Sequence, residues 1–366
     1  MSTYAEIVGW GKHVPSRVLS NEELRRIVDT TDEWIRTRTG ISERRIAGPK
    51  DTASSMATKA ALQAIEVADL SPGKIDLVIV ATSTPDYVFP ATASIVQDAI
   101  GASSAGAMDI NVACSGFVYA LSVGSNFITS GNYRNVLVIG ADTLSRLLDY
   151  GDRSTCVLFG DGAGAVILRA TEKPTGMLSF VLGSDGSGVD LLYVPGVGGS
   201  NPATPENIQP KPHFVKMNGN EVYRFAVGAI VKATQQAVKN AGLTMDDVEL
   251  VIPHQANARI IASAAKSLKL PPEKVFVNVE RYGNTSAASV AIALCEVIEQ
   301  GLVREGDHIV LVAFGGGLSW AAAVFQWGIP ALVPQVAWWK NLAHHFRGQE
   351  AAAKSLAKRA SRKLHR

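Results

Sequence analysis

Two kinds of apolar pattern recur along the chain. Runs such as IDLVIVAT (75–82) and HIVLVAF (308–314) are continuously apolar over a strand's length, the mark of strands buried on both faces. MATKAALQAIEVA (56–68) and AVGAIVKATQQAVKNA (226–241) instead place small apolar residues at the helix period. Their alternation predicts an α/β protein, with helices layered on mostly parallel sheet. Residues 194–214 break the pattern with five prolines and three glycines, which predicts an irregular surface segment.

The pattern also repeats. LSPGKIDLVIV (70–80) reads like LTMDDVELVIP (243–253), with Leu70 over Leu243 and Asp76 over Glu249, both 173 residues apart. The same offset lays Val136–Ile139 over Ile309–Val312, and the helix after Cys114 over the helix after Ser286. A register held across two strands and two helices predicts a duplicated chain, with halves 1–174 and 175–327 and an extension, 328–366.

Composition narrows the class. Hydrophobic residues make up 47% of the 366 and charged residues 19%, values of a chain with a large core. The net charge of +2 is unevenly spread. Beyond Trp327 stand eight Lys or Arg against one acid, Glu350, leaving 27 basic and 32 acidic residues before it. A body of about −5 thus carries a tail of about +7, and whole-chain basicity offers no argument for nucleic-acid binding. The three cysteines, Cys114, Cys156 and Cys295, have neither metal-like spacing nor an even count, so we expect no metal site and a reducing, cytoplasmic setting. MSTYAEIVGW has no basic segment followed by an apolar run, and no stretch is long enough to span a bilayer.

Candidate chemistry centres on Cys114 in DINVACSGFVYALSVGSNFI (109–128). An apolar strand is expected to end at Ala113 and a helix to begin at once, so the helix end should lower the thiol pKa. Gly116 is expected to hold the first turn open for substrate. Cys156 and Cys295 lie in apolar strand and helix patterns and read as core thiols; His13, His213 and His308 read as structural. His254 differs, because Gln255, Asn257 and Arg259 follow it at a strand end in VIPHQANARI (251–260). Asn284 precedes a helix in RYGNTSAAS (281–289). Strand ends of a doubly wound layout converge on one crevice, where thiol, imidazole and carboxamide would make a nucleophilic site. AFGGGLSW (313–320) puts three glycines after a buried strand, suiting a backbone N–H that donates to an oxyanion.

These segments, with TTDEWIRTRTGISERRIA (30–47) and FGDGAGAVIL (159–168), resemble β-ketoacyl-acyl carrier protein synthase III, a condensing enzyme of the thiolase-like superfamily. The resemblance runs from about residue 4 to Trp327. It implies a duplicated thiolase-like fold, with layered helices and mixed sheets in two pseudo-symmetric halves. It implies that Cys114 takes an acyl group, from acetyl-CoA or another short acyl-CoA. His254 and Asn284 then assist decarboxylation of malonyl-acyl carrier protein, and the carbanion attacks the acyl-cysteine to give 3-oxoacyl-acyl carrier protein, the opening step of type II fatty acid synthesis. By the same resemblance, the N–H groups of Cys114 and Gly316 form the oxyanion hole; Trp34 and Arg153 sandwich the adenine of CoA; Arg38 lies near its phosphates; Asn220 and Arg259 lie along its pantetheine arm. Phe89 closes the primer pocket across a homodimer interface. Acyl-CoA is a substrate, and no resident cofactor is implied. The alternative is a starter-unit or acyl-transfer enzyme of polyketide or other secondary metabolism, which the same three residues do not exclude, whereas the retained nucleophile speaks against a non-catalytic subunit. The basic extension suits contact with acyl carrier protein or an anionic membrane surface.

Overall fold

The computed structural model describes residues 3–329, apart from 197, 203 and 206–212. The extension beyond Ile329, and part of the proline-rich segment, lie outside the described residues.

The chain opens with β1 (Tyr4–His13). An antiparallel pair, β2 (Val18–Ser20) and β3 (Glu43–Arg45), brackets the short α1 (Asn21–Leu24) and then α2 (Asp32–Thr39). Next come α3 (Ala53–Val67), β4 (Leu77–Ala81), α4 (Thr92–Ile100), β5 (Gly106–Ile110) and α5 (Gly116–Thr129). After these follow β6 (Asn135–Thr143), the short α6 (Arg153–Cys156) and β7 (Asp161–Thr171). The chain then passes to β8 (Gly176–Ser184), to the paired β9 (Leu192–Tyr193) and β10 (Lys216–Met217), and to α7 (Gly219–Asn240). It ends with β11 (Leu250–Pro253), α8 (Ala258–Ser267), α9 (Val279–Tyr282), α10 (Ala288–Glu299), β12 (His308–Gly315) and β13 (Ser319–Gln326).

Two sheets result, ordered β1-β7-β6-β4-β5 and β11-β12-β13-β8. Both are mixed, as the family resemblance implies, whereas the apolar pattern alone suggests mostly parallel sheet. β4 runs parallel to β5 and β6, and β11 parallel to β12, but β6–β7, β7–β1, β12–β13 and β13–β8 are antiparallel. Apolar runs report burial, not direction. The link from β12 to β13 is only residues 316–318, too short for the crossover that a parallel pair needs.

The repeat reappears in the hydrogen-bond register. Leu77 pairs with Val136 in the first sheet and Leu250 with Ile309 in the second, each residue 173 from its counterpart. α5 and α10 form the middle layer and pack against strands of both sheets. Eleven of the twelve α10 residues are buried, since a helix covered on both sides must be apolar all round. α3 and α4 cover the outer face of the first sheet, and α7 and α8 that of the second. The segments leading into α5 and α10 therefore meet at the molecular centre.

Candidate active site

Cys114 sits before α5 in a single 3₁₀ turn, Ala113–Ser115. The strand stops at Ile110, earlier than the apolar run suggests, and Ala113 takes a left-handed φ of 44°. Gly116 is buried, and a Cβ there would lie 3.0 Å from the Ala81 side chain. Its small size lets α5 lie close on β4; it does not open a path for substrate. Cys156 also departs from its sequence reading, lying in α6 and not in a strand.

The expected lowering of the Cys114 thiol pKa is overturned. Burial pushes it up to about 12, and the nearby Asp142 carboxylate adds to the rise; the side chains of Ser286 and Asn284 pull the other way. A rise from 9.0 to about 12 corresponds to roughly 4 kcal/mol, whereas a helix end supplies about 2 kcal/mol at most. Desolvation wins in the resting site. The thiol donates to the Ser286 hydroxyl at 3.5 Å.

β11 delivers His254, whose N–H donates to the Val312 carbonyl at 2.7 Å on neighbouring β12. The imidazole is buried, and burial pulls its pKa down to about 3, so it is neutral. Nδ1 lies 2.5 Å from Ser289 Oγ, which also accepts the Gln255 N–H at 3.4 Å. A neutral imidazole carries one ring hydrogen, and the tautomer in which Ser289 donates to Nδ1 places it on Nε2. Nε2 has no partner among the described residues, and His254 lines the central cavity. The polar residue after His254 proves structural: buried Gln255 donates to the Pro253 and Phe276 carbonyls and accepts from the N–H groups of Asn278 and Val279.

Asn284 is held on both sides of its backbone. Its N–H donates to Leu158 O at 2.8 Å, and its carbonyl accepts the Gly160 N–H at 2.9 Å. Its side-chain oxygen accepts the Ser286 N–H at 2.8 Å, so the amide NH₂ is the end left for the cavity.

Cys114, His254 and Asn284, remote in sequence, line one cavity of about 560 Å³. Trp34, Arg38, Asn220 and Arg259 line it too. Arg153 is not among the lining residues; its guanidinium stacks on Trp34 at 4.9 Å and donates to Asp29 O, while Arg38 lies 5.0 Å from the same ring. A third flat group between Trp34 and Arg153 requires Arg153 to swing outward. Arg259 lies over Tyr223, 5.7 Å from the ring centre. Gly315, not Gly316, lines the cavity, although among the described residues no acceptor takes the N–H of Cys114 or Gly316. Phe89 lies outside this cavity and is 84% exposed.

Sequence reasoning passed over Ser286, Ser289, Asp142 and Phe314. Phe314 meets the His254 ring edge-on with centroids 5.2 Å apart. Their signals were present: serines three apart before a helix in TSAAS, and an acid ending the apolar run VLVIGAD.

Two mixed sheets around a central helix layer, with Cys114, His254 and Asn284 lining one cavity, are the arrangement of a thiolase-like synthase. Comparison with known proteins narrows this. Residues 108–186 match the family model 3-oxoacyl-(acyl-carrier-protein) synthase III, and residues 238–327 match its C-terminal model. A curated β-ketoacyl-(acyl-carrier-protein) synthase III from Roseiflexus sp. (strain RS-1) is 52% identical over 327 residues, covering 89% of this chain and 99% of the relative. The crystal structure of 3-oxoacyl-(acyl-carrier-protein) synthase III from Aquifex aeolicus VF5 is 46% identical with a TM-score of 0.83, over 88% of this chain and all of that one. The priming β-ketosynthase of the R1128 polyketide pathway is 36% identical with a TM-score of 0.83, over 90% of this chain and 98% of that one. The chain belongs to the β-ketoacyl-acyl carrier protein synthase III family.

Proposed function

We propose that this enzyme condenses a short acyl-CoA primer with malonyl-acyl carrier protein, with loss of CO₂, to give 3-oxoacyl-acyl carrier protein and so initiate type II fatty acid synthesis. The observation that carries the reading is the neutral His254, its Nε2 without a partner among the described residues, in the cavity that also holds Cys114 and Asn284. Cys114 attacks the primer thioester and CoA leaves. His254 Nε2–H and the Asn284 NH₂ then donate to the thioester oxygen of malonyl-acyl carrier protein, where negative charge builds as CO₂ departs. Neutral donors stabilise that charge without protonating the carbanion, which attacks the acyl carbon. The N–H groups of Cys114 and Gly316 suit the tetrahedral oxyanion.

In this reading, Trp34, Arg153, Arg38, Asn220 and Arg259 hold the CoA. The halves 1–174 and 175–327 divide the labour, the first carrying the nucleophile and the second the two donors. Two copies of the chain pair as a homodimer in the cytoplasm, with the exposed Phe89 closing the partner's primer pocket. The basic extension meets the acidic carrier protein or an anionic lipid surface. Similarity to the R1128 priming ketosynthase supports a second reading, the same chemistry on a polyketide starter; a panel of acyl-CoA primers with products read by mass separates the two.

The division of labour has a direct test. Cys114→Ser should lose primer-dependent condensation, while His254→Ala and Asn284→Ala lose decarboxylation yet still accept the acyl group. Equal failure of acylation in all three variants contradicts the assignment.

A further inference from the structure

Behind Cys114 lies a buried carboxylate with no role in the chemistry above. Asp142 ends β6 and is fully buried. Its Oδ1 accepts from Thr82 Oγ1 (3.1 Å), Ser83 N (2.8 Å), Thr84 N (3.1 Å) and Thr84 Oγ1 (3.0 Å). Its Oδ2 accepts the Ala287 N–H at 3.1 Å, which leaves that oxygen the less occupied. The Ser286 hydroxyl receives the Cys114 thiol at 3.5 Å, and it sits one residue before Ala287, near enough to Asp142 to favour the ionised carboxylate. Ser286 is held at a left-handed φ of 52°, a conformation a serine keeps only when its surroundings enforce it.

We propose that Cys114, Ser286 and Asp142 form a proton relay that lets the buried thiol act as a nucleophile. The thiol proton passes to Ser286 Oγ while the Ser286 hydroxyl proton passes to Asp142. The sulfur attacks the primer carbonyl, the bond from acyl carbon to CoA sulfur breaks, and CoA leaves as a thiolate that takes one proton from water. Asp142 keeps its proton through the acyl-enzyme stage. When the carbanion attacks, the bond from the acyl carbon to Cys114 breaks and the sulfur departs as a thiolate. The stored proton then returns through Ser286. Each turnover consumes one solvent proton and releases one CO₂, as decarboxylating condensation requires.

The physical case is charge conservation in a dry site. Forming a thiolate beside an ionised Asp142 puts two negative charges in one buried pocket, whereas moving the proton between them leaves one. The groups around Asp142 are hydroxyl and amide donors from residues 82–84 and from Ser286 and Ala287 ahead of α10. Neutral His254 on the β11 side, and Arg38, Arg224 and Arg259, line the cavity that holds Cys114.

The relay rests on Cys114 being the acyl carrier. The test measures pre-steady-state acylation by acetyl-CoA, and separately decarboxylation of malonyl-acyl carrier protein, across pH. Ser286→Ala removes the hydroxyl, while the backbone N–H that orders Asn284 remains. Ser286→Gly does the same and also accepts the left-handed φ. Both variants should acylate about 100-fold more slowly at neutral pH, with a rate that climbs as pH rises, and keep decarboxylation within about threefold of wild type. Wild-type acylation speed and pH profile in either variant, or equal losses of acylation and decarboxylation, overturns the relay. Acyl-enzyme forming on Cys114→Ser as fast as on wild type instead sinks the nucleophile assignment, a result separable from the Ser286 data.

Discussion

At the scale of residues, the meeting of Cys114, His254 and Asn284 in one cavity was legible because each is a polar side chain at the end of an apolar element. What those side chains meet was not. The helix end alone points to a lowered thiol pKa, and burial reverses the sign. Ser286, Ser289 and Asp142 stayed hidden because spacing does not say which oxygen points where. His254 gives a measurable consequence. Its folded pKa of about 3 lies below the ordinary 6.5, so unfolding takes up a proton between those values. Stability should therefore rise with pH through that window, by about 1.4 kcal/mol per pH unit at most, and lose its dependence on His254 above it. Asp142 and Asp161, both raised by burial, act in the opposite direction, so the readout is a difference. Urea unfolding of wild type and His254→Asn from mildly acidic to neutral pH should show the variant with the shallower slope. Equal slopes would mean that the imidazole takes up its proton alike in the folded and unfolded protein.

At the scale of elements, the 173-residue offset reappeared in the pairing of β4 with β6 and of β11 with β12, because buried strands and their register are written in apolar positions. Strand direction is not written there, so the antiparallel members were legible only through the family resemblance and its mixed sheets. Close packing of helix on strand is carried by glycines whose role only coordinates reveal. A Cβ on Gly164 of β7 would fall 2.5 Å from the Ala291 side chain of α10, and one on Gly140 of β6 2.3 Å from the Ala287 carbonyl. Gly164→Val should push α10 outward and cost about 1–3 kcal/mol or more. It should also slow decarboxylation, because the segment leading into α10 holds Asn284. At Gly228 on α7, a Cβ would meet nothing within 4 Å, so Gly228→Ala should be neutral or stabilising by up to about 1 kcal/mol. Denaturant midpoints check both, and a Gly164→Val midpoint equal to that of wild type would show that α10 does not pack this tightly.

At the scale of the molecule, all the residues lining the catalytic cavity fall within the described core, which carries a net charge of about −5 up to Trp327. The basic extension supplies the opposite charge to an otherwise acidic protein, and carrier proteins of acidic character are repelled by the body alone. Removing residues 331–366 should therefore leave acylation by acyl-CoA unchanged while raising the Michaelis constant for malonyl-acyl carrier protein. The rise should be clear at low salt and shrink at moderate salt, because attraction between exposed charges is screened within about 10 Å at 0.1 M. A constant that does not move at either salt concentration, with no binding of the full chain to anionic vesicles, removes the extension from partner recognition. A change that persists at moderate salt points instead to contacts other than charge, for which Trp338, Trp339 and Phe346 are the residues to alter first.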